Sequence, residues 1–257
     1  MRIACFGGGT DSTAVLGGWV ERGMVQTCPI DAITFADTGG ERPHTYEHIA
    51  RTSDWCVSHG LPAITIVRKT ARTPDDVTLE GNCLRRGMLP SLAYGFRSCS
   101  QKYKVQPQEK LMNNMPAAKA IWKAGGKIEK LIGYEFSESK RWMRATVEDE
   151  KYRYRFPLVE WEWSRPEAIE CIKRMGLPLP GKSSCFFCPA SKTKEIDELK
   201  KTYPLLFQRA IAMEDKAMAN LRSVKGLGRR FSWREYDQER VEQTSMQSCM
   251  FCVDDSE

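Results

Sequence analysis

Hydrophobic and polar positions in the first half of the chain predict alternating strands and helices. Short apolar runs at residues 3–6, 30–35 and 62–67 are typical of buried strands. Between these runs, residues 12–22 and 45–55 carry apolar side chains at helical spacing. A strand, a helix and a second strand in this order predict a right-handed parallel unit, so we expect an α/β fold with a parallel sheet flanked by helices.

The second half of the chain predicts two more strands and a set of helices. Residues 130–132 form a short strand pattern, and residues 151–155 alternate charged and tyrosine side chains, which is typical of an exposed edge strand or of a surface for single-stranded nucleic acid. The stretch from Ser164 to Glu167 predicts a helix start with a capping box. Amphipathic patterns at 195–202 and 204–223 predict a C-terminal helical appendage.

These patterns divide the chain into two predicted domains. Residues 1–190 are expected to form an α/β domain, and residues 191–257 a helical extension with a C-x-x-C tail. Within the first domain, residues 68–88 are polar and predict an irregular insertion or a lid.

Composition narrows the cellular setting and the class of partner. No apolar run among the 257 residues is long enough to span a bilayer, and the N-terminus lacks a signal sequence, so we expect a cytoplasmic protein without a membrane partner. The net charge of +6 is a mild excess that suits a nucleotide or a nucleic acid without requiring either. The oligomeric state stays open, and a homodimer is one possibility.

The first junction between a strand and a helix is a candidate anion site. Three glycines, Gly7, Gly8 and Gly9, separate Phe6 from a helix that begins near Ser12. Glycines let the main chain approach a ligand closely, and the N–H groups of a helix N-terminus favour phosphate. The stretch is neither a Walker loop, which needs a lysine, nor a G-x-G-x-x-G turn. An ordinary glycine turn without a ligand is the alternative.

Cysteine usage points to metal or redox chemistry. Ten cysteines are many for a cytosolic chain, in which disulfides are rare. Two C-x-x-C pairs occur, Cys185/Cys188 and Cys249/Cys252. In the expected fold Cys99 lies near the first of these pairs, and Cys83 could join them. The predicted metal ligands are Cys83, Cys99, Cys185 and Cys188.

Four thiolates can hold either a 4Fe–4S cluster or zinc, and both assignments stay open. The pair Cys249/Cys252 could replace Cys83 as the source of the fourth ligand, or could form a redox pair on the tail. The serines that precede the first pair, Ser183 and Ser184, are expected to donate hydrogen bonds to its sulfurs.

The glycine junction resembles the PP-loop, S-G-G-x-D-S, of the N-type ATP pyrophosphatases. The run from Gly7 to Ser12 matches that motif except at the first position, where Gly7 stands in place of serine. The second strand runs into Asp37, Thr38 and Gly39, and is similar to the D-T-G stretch of phosphoadenylylsulfate (PAPS) reductases and their relatives. This resemblance implies that the residues at the end of the second strand contact the adenosine of a bound nucleotide.

Two later stretches carry the same resemblance. Cys99, Lys102 and Lys104 fall in a run that is similar to a cysteine–lysine motif of reductase and sulfur-transfer members. The run from Gly133 to Arg141 resembles a further family motif, although Glu135 stands where many members have arginine. Lysine and arginine are suited to hold phosphate charge, whereas solvated lysines and a Glu138–Arg141 helical ion pair are the simpler interpretations.

The chain is therefore similar to the PAPS reductase-like branch of the adenine nucleotide α-hydrolase superfamily, which implies a Rossmann-like (HUP-type) sheet. The implied ligand is ATP or PAPS with Mg²⁺. The implied binding residues are Phe6, Gly7, Gly8, Gly9, Thr10, Asp11, Ser12, Asp37, Thr38, Gly39 and Gly133, and the implied catalytic residues are Asp11, Ser12, Lys102, Lys104 and Arg141.

Three functions follow from this resemblance. The first is ATP-dependent activation of a nucleobase or nucleic-acid acceptor for sulfur transfer, with sulfide or a sulfur donor protein as partner. The second is reduction of PAPS by a tail thiol, although the tail around Cys249 lacks the histidine of true PAPS reductases. The third is a nucleotide- and metal-binding module without catalytic activity.

Overall fold

The computed structural model describes residues 1–145 and 147–240, and it confirms an α/β fold with a parallel sheet. The sheet has five strands: β1 (Arg2–Phe6), β2 (Ala32–Asp37), β3 (Ile64–Arg68), β4 (Ile128–Ile132) and β5 (Tyr152–Arg155). Their order in the sheet is β3–β2–β1–β4–β5, and all pairs are parallel.

α-Helical segments connect or follow these strands in the described part of the chain, and residues 233–240 at its end are also helical. The other segments are α1 (Thr10–Glu21), α2 (Met24–Thr27), α3 (Pro43–Ser58), α4 (Leu79–Arg86), α5 (Ser98–Ser100), α6 (Gln106–Asn114), α7 (Pro116–Lys123), α8 (Ser139–Trp142), α9 (Pro157–Glu160), α10 (Arg165–Arg174), α11 (Thr193–Thr202) and α12 (Pro204–Met218). Shorter 3₁₀ turns cover Pro74–Val77 and Ser91–Tyr94, and a π turn at Gln101–Val105 leads into α6.

The central strand, β1, determines where a ligand can bind. Ile3 of β1 is in register with Ala32 of β2 on one side and with Lys130 of β4 on the other. The chain order therefore reverses at β1. In open parallel sheets, the crevice at the carboxyl ends of the strands beside such a reversal is the usual ligand site. Phe6 ends β1 at this edge.

Helices cover both faces of the sheet. Because alternate residues of β1 point to opposite faces, β1 contributes side chains to a hydrophobic cluster on each face. Phe6 packs in one hydrophobic cluster with Leu16 and Trp19 of α1. Ile3 packs in a second cluster, with Met112 of α6 among its members. All five of these side chains are at least nine-tenths buried. The sheet is therefore the middle layer of a three-layer core.

The segment predicted to be irregular contains a helix. Thr78 caps α4 by accepting a hydrogen bond from the N–H of Gly81 at 3.0 Å, and Gly87 ends the helix with a φ of 57°. The prediction of irregular structure was wrong here because capping residues were not read as helix signals. The capping box predicted at Ser164 and Glu167 is confirmed at the start of α10.

The described structure divides into two compact units. The first consists of Met1–Thr70 and Lys102–Ser184 and contains the whole sheet. The second consists of Ala71–Gln101 and Cys185–Glu257, described as far as residue 240, and contains α4, α11 and α12. This grouping places residues 71–101 with the C-terminal helices, whereas the sequence placed them in the first domain. The domain boundary at residue 190 stays a prediction.

A buried carboxylate organises the end of the second unit. Glu214 of α12 is inaccessible to solvent and accepts hydrogen bonds from the N–H groups of Leu227 at 2.7 Å, Trp233 at 3.0 Å and Arg234 at 3.1 Å. A buried charge is tolerated when hydrogen-bond donors compensate for its lost hydration. Glu214 therefore fixes the chain from residue 227 to residue 234 against α12.

In the described ranges, no helix is both long and apolar enough to cross a membrane.

We expect Glu214→Ala to lower the free energy of unfolding by at least about 3 kcal/mol, because it leaves three buried N–H groups without an acceptor. Urea unfolding measures the change. Glu170→Ala is the matched control, since Glu170 pairs with Lys173 on the exposed face of α10 and is expected to change the free energy by less than about 0.5 kcal/mol. Equal effects of the two substitutions would contradict this role of Glu214.

Candidate nucleotide site

The glycine loop between β1 and α1 adopts a conformation that needs glycine. Gly8 has a φ of 72°, in the left-handed region that residues with a side chain rarely adopt. A Cβ on Gly8 would lie 3.1 Å from Cγ2 of Thr45 and 3.3 Å from Oγ of Ser183. The loop is therefore enclosed by α3 on one side and by the segment that carries Ser183 on the other.

The carbonyl group of Gly9, at the end of the loop, stabilises the first turn of α1. The carbonyl of Gly9 accepts hydrogen bonds from the N–H of Thr13 at 3.1 Å and from the hydroxyls of Thr13 at 2.9 Å and Ser12 at 3.1 Å. Gly9, at the N-cap, has no side chain that could accept from the first-turn N–H groups. A helix that starts in this way offers those N–H groups to an anion.

Gly133, directly after β4, lies against the start of α1. A Cβ at this position would be 2.8 Å from the backbone N of Ser12 and 2.9 Å from the backbone carbon of Asp11. Only glycine allows the two backbones to approach so closely. Gly133 therefore lies against the start of α1 because it has no side chain, and its role in ligand binding stays a prediction.

Asp11 is a partly buried carboxylate at the same helix start. Its Oδ1 accepts from Arg165 of α10 at 2.9 Å. Burial raises the pKa of Asp11 above its usual value, Arg165 opposes this rise, and the nearby Glu138 and Glu135 add to it. Glu135, which stands where the resembling motif has arginine, therefore makes this rim more negative, and Arg165 supplies positive charge from another helix.

Phe6 and Asp37 are both buried, which changes the role expected of each. Phe6 lies in the core, with its ring centroid 6.5 Å from that of Phe35, so a contact to a ligand would come from its main chain. Asp37 is inaccessible to solvent and accepts from the N–H of Gly39 at 2.7 Å, from the hydroxyl of Tyr46 at 2.9 Å and from Nε of Arg68 at 2.8 Å. Asp37 therefore organises the loop after β2.

Thr38 and Gly39 belong to the same loop. Thr38 is buried, and its hydroxyl accepts from the N–H of Gly40 at 3.3 Å. Gly39 has a φ of 74°, which requires glycine in this turn. The contact of Asp37, Thr38 and Gly39 with adenosine stays a prediction.

Lys102 and Lys104 face different surroundings. Nζ of Lys104 lies 3.4 Å from Oε1 of the buried Glu41, while the other oxygen of that carboxylate, Oε2, lacks a hydrogen-bond partner in the described residues. Lys102 lines a pocket of about 240 Å³ together with Lys69, Thr70, Gln106, Pro107 and Lys110. Because Lys69 directly follows β3, this basic pocket lies at the same end of the sheet as the glycine loop.

Arg141 forms the ion pair that the simpler interpretation expected. Its NH1 atom lies 3.0 Å from Oε1 of Glu138, three positions earlier. Its guanidinium group also lies 4.4 Å from the ring centroid of Tyr134. To hold a phosphate, Arg141 would have to exchange the carboxylate of Glu138 for the ligand.

The four predicted metal ligands fall in the second compact unit. Cys83 and Cys185 are buried, while Cys99 and Cys188 are partly exposed. Burial, together with the neighbouring Cys99 and Glu80, raises the pKa of Cys83 to about 12. Across residues 1–145 and 147–240, however, no group of three or more His, Cys, Asp or Glu side chains is placed to hold a metal ion. Cys249 and Cys252 lie outside the described residues.

Sequence reasoning missed the contacts that two residues make at the glycine loop and the start of α1. His48 of α3 is one: its Nε2 lies 2.9 Å from Oγ1 of Thr13, beneath the first turn of α1. Ser183 is another: its hydroxyl donates to the carbonyl of Gly7, and not to a cysteine sulfur as expected. Neither residue stands in a motif, so only contacts between distant parts of the chain reveal them.

No protein-family model matches this chain, and no curated protein matches it. Among solved structures, the chain is similar to a PAPS reductase from Candida auris in a phosphate complex, with 18% identity over 70% of this chain and 74% of that one and a TM-score of 0.43. It is also similar to the U34-tRNA thiolase NcsA from Methanococcus maripaludis with its 4Fe-4S cluster, with 14% identity over 86% of this chain and 74% of that one and a TM-score of 0.43.

A PAPS reductase and a tRNA thiolase are both among the proteins that the sequence motifs resemble. At these identities and TM-scores, the structural similarity by itself assigns no activity to this chain. The residues at the edge of its own sheet have to carry the functional argument.

Stability is expected to depend on pH through His48. Burial, with His44 and Arg51 nearby, lowers the pKa of His48 from 6.5 to about 4. Between these values the unfolded chain binds a proton that the folded protein does not, so stability present above pH 6.5 is lost as the pH falls toward 4. We expect His48→Gln to lose less stability than the wild type between pH 7 and pH 5, measured by urea unfolding. His59→Gln, exposed at the end of α3, should keep the wild-type slope, and an unchanged slope in His48→Gln would disprove the assignment.

Proposed function

We propose that this chain is a PP-loop enzyme of sulfur metabolism that uses ATP to activate an acceptor for sulfur transfer. The observation that carries the proposal is the loop from Gly7 to Gly9, which lies at the reversal of strand order and leads into a helix start without a capping side chain. Such a loop suits the phosphates of a nucleotide. Asp37, Thr38 and Gly39, at the neighbouring strand end, are proposed to lie beside the adenosine.

The reaction has two displacement steps. An oxygen of the acceptor, a nucleobase or another group of a nucleic acid, attacks the α-phosphorus of ATP, and the bond to the β-phosphate oxygen breaks to release pyrophosphate. Hydrosulfide, free in solution or released by a donor protein, then attacks the activated carbon or phosphorus of the acceptor and loses its proton. The bond to the bridging oxygen breaks, and AMP leaves with that oxygen. The oxidation state of the acceptor does not change.

Charge stabilisation is the main task of the protein in the first step, because negative charge builds up on the leaving pyrophosphate. The first-turn N–H groups of α1 are proposed to hold one phosphate. Lys102 and Lys104 are proposed to meet the others, with Lys104 shared between Glu41 and the ligand. Arg141 belongs to the segment after β4, and it would approach the phosphates from the side of β1 opposite to β2 and β3.

Mg²⁺ would compensate for the charge of the nucleotide, and carboxylate oxygens are the ligands it prefers. Asp11 is the proposed protein ligand because its carboxylate lies at the start of α1 with Glu135 and Glu138 close by. The pairing of Asp11 with Arg165 provides a second partner for this carboxylate when no cation is bound.

The described cysteine positions do not fit a metal centre as they stand, so the proposed reaction has no step through one. The prediction of a Cys-ligated site is supported by the presence of all four thiols in one compact unit and by the proximity of Cys83 to Cys99. It is tested separately from the nucleotide chemistry.

The acceptor is found by testing transfer RNA, ribosomal RNA and DNA. With that acceptor, we expect the anaerobically purified wild-type protein to release pyrophosphate from ATP. Asp11→Ala should lower the rate at least about tenfold, which corresponds to ~1.4 kcal/mol of transition-state stabilisation. Asp31→Ala is the matched control. Asp31 accepts a hydrogen bond from the N–H of Arg2 at the amino ends of the strands, away from the proposed site, so this substitution should leave the rate unchanged.

The same preparation distinguishes the alternative functions. Sulfite release from PAPS, without pyrophosphate release from ATP, would replace this proposal by PAPS reduction. Tight ATP binding with no turnover for any acceptor would indicate a non-catalytic nucleotide-binding module. Equal rates in the two aspartate variants would remove Asp11 from the mechanism.

Metal content tests the cysteine prediction. We expect the anaerobic protein to contain either iron with acid-labile sulfide, visible as brown iron–sulfur absorption, or zinc. Cys185→Ser should lower that content, because it removes one predicted ligand. Cys28→Ser, on the loop before β2, is the control and should retain the metal. A wild-type protein without iron or zinc, or an equal loss in both variants, would contradict the prediction.

A further inference from the structure

The PP-loop lacks a side chain at its first position, and a serine from a distant part of the chain contacts the backbone of the loop. Gly7 stands where the resembling motif has serine. In the structure, the hydroxyl of Ser183 donates to the carbonyl of Gly7 across 176 residues of sequence. Its Oγ is 3.3 Å from the place of a Cβ on Gly8, and its Cβ is 3.7 Å from the place of a Cβ on Gly9. The hydroxyl of Ser183 thus contacts Gly7 and lies beside Gly8, and its Cβ lies beside Gly9.

Ser183 is held in this place by α3. Nε2 of His44, in the first turn of α3, lies 3.3 Å from the carbonyl oxygen of Lys182. A Cβ on Gly181 would be 2.5 Å from the same nitrogen, so glycine is needed for this approach. The position of Ser183 is therefore determined by specific packing of the segment from residue 181 to residue 183, and not by its exposure at a surface.

Two buried hydroxyls, one beside Gly8 and one next to Ser183 in the sequence, lack hydrogen-bond partners among the described residues. Oγ1 of Thr45 has no hydrogen-bond partner in the described residues, although Thr45 is only 1% exposed. Its Cγ2 is the closest atom to the place of a Cβ on Gly8. Oγ of Ser184, the residue after Ser183, also lacks a partner there. A buried polar group without a partner costs about 1–3 kcal/mol, so these atoms favour a site that a polar ligand completes.

We infer that Ser183 supplies the hydroxyl that the loop lacks at Gly7, and that it donates a hydrogen bond to a phosphate oxygen of the bound nucleotide. The inference rests on the proposed nucleotide function and assigns Ser183 to the binding site. Rotation about the Cβ–Oγ bond moves the proton from the carbonyl of Gly7 to the phosphate oxygen, and no covalent bond changes. The phosphate site is then built from two separate parts of the sequence.

Sterics permit a reciprocal test at Gly7. A Cβ on Gly7 would meet only Oγ of Ser12, at 3.6 Å, which is an ordinary contact, and Gly7 is not among the residues with positive φ. A serine at position 7 can therefore be accommodated, and it would return a hydroxyl to the loop from the local sequence.

The experiment measures the dissociation constant of ATP by isothermal titration calorimetry in the presence of Mg²⁺, for the wild type, Ser183→Ala, Gly7→Ser and the double variant Gly7→Ser/Ser183→Ala. We expect Ser183→Ala to bind about tenfold more weakly, equivalent to ~1.4 kcal/mol. The double variant should recover affinity to within about threefold of the wild type, less than ~0.7 kcal/mol. Thermal unfolding midpoints verify that all four proteins are folded.

Each outcome decides a separate question. Wild-type affinity in Ser183→Ala would overturn the inference and leave the proposed function intact. Weak binding in Ser183→Ala without recovery in the double variant would also overturn it, because Ser183 would then act only by holding the loop in place. A wild-type protein that binds no ATP would refute the proposed function itself, before any variant is compared.

Discussion

The close approach of two backbones at the carboxyl end of β1 is the constraint on which the nucleotide site depends. The first turn of α1 and the residue after β4 are so near that only glycine fits at position 133. This contact requires β4 to pair with β1 in parallel and in register. Because β2 pairs with the other side of β1, the same arrangement leaves a crevice at the first turn of α1.

Charge at this edge is organised by pairs between elements that are distant in sequence. The buried Asp37 is held by Arg68 and Tyr46, and Asp11 is held by Arg165. Buried or half-buried carboxylates are stable only when donors replace their hydration. The pairs therefore fix the loops after β1 and β2, and Lys69, Lys102 and Lys110 add positive charge in the pocket at the same edge.

The second unit follows a similar physical rule with different groups. Glu214 fixes a loop through three backbone donors, and Glu80 of α4 forms an ion pair with Arg209 of α12. Arg209 also lies 5.0 Å from the ring centroid of Phe186, between the cysteines at positions 185 and 188. The helix that carries Cys83 and the C-x-x-C segment are thus both tied to α12, which explains why residues 71–101 group with the C-terminal helices.

The sequence alone determined the order of the five strands along the chain, the glycine loop and the capping box at Ser164, because these depend on local periodicity and on the backbone freedom of single residues. It also indicated Gly133, through a motif. The local Glu138–Arg141 pair was one of the two interpretations that the sequence left open. Only the tertiary structure decided that Asp37 is enclosed, that Ser183 contacts the glycine loop and that His48 contacts Thr13 of α1. Those contacts join residues of separate elements, and their geometry is fixed by sheet register and helix packing, which no local pattern in the chain encodes.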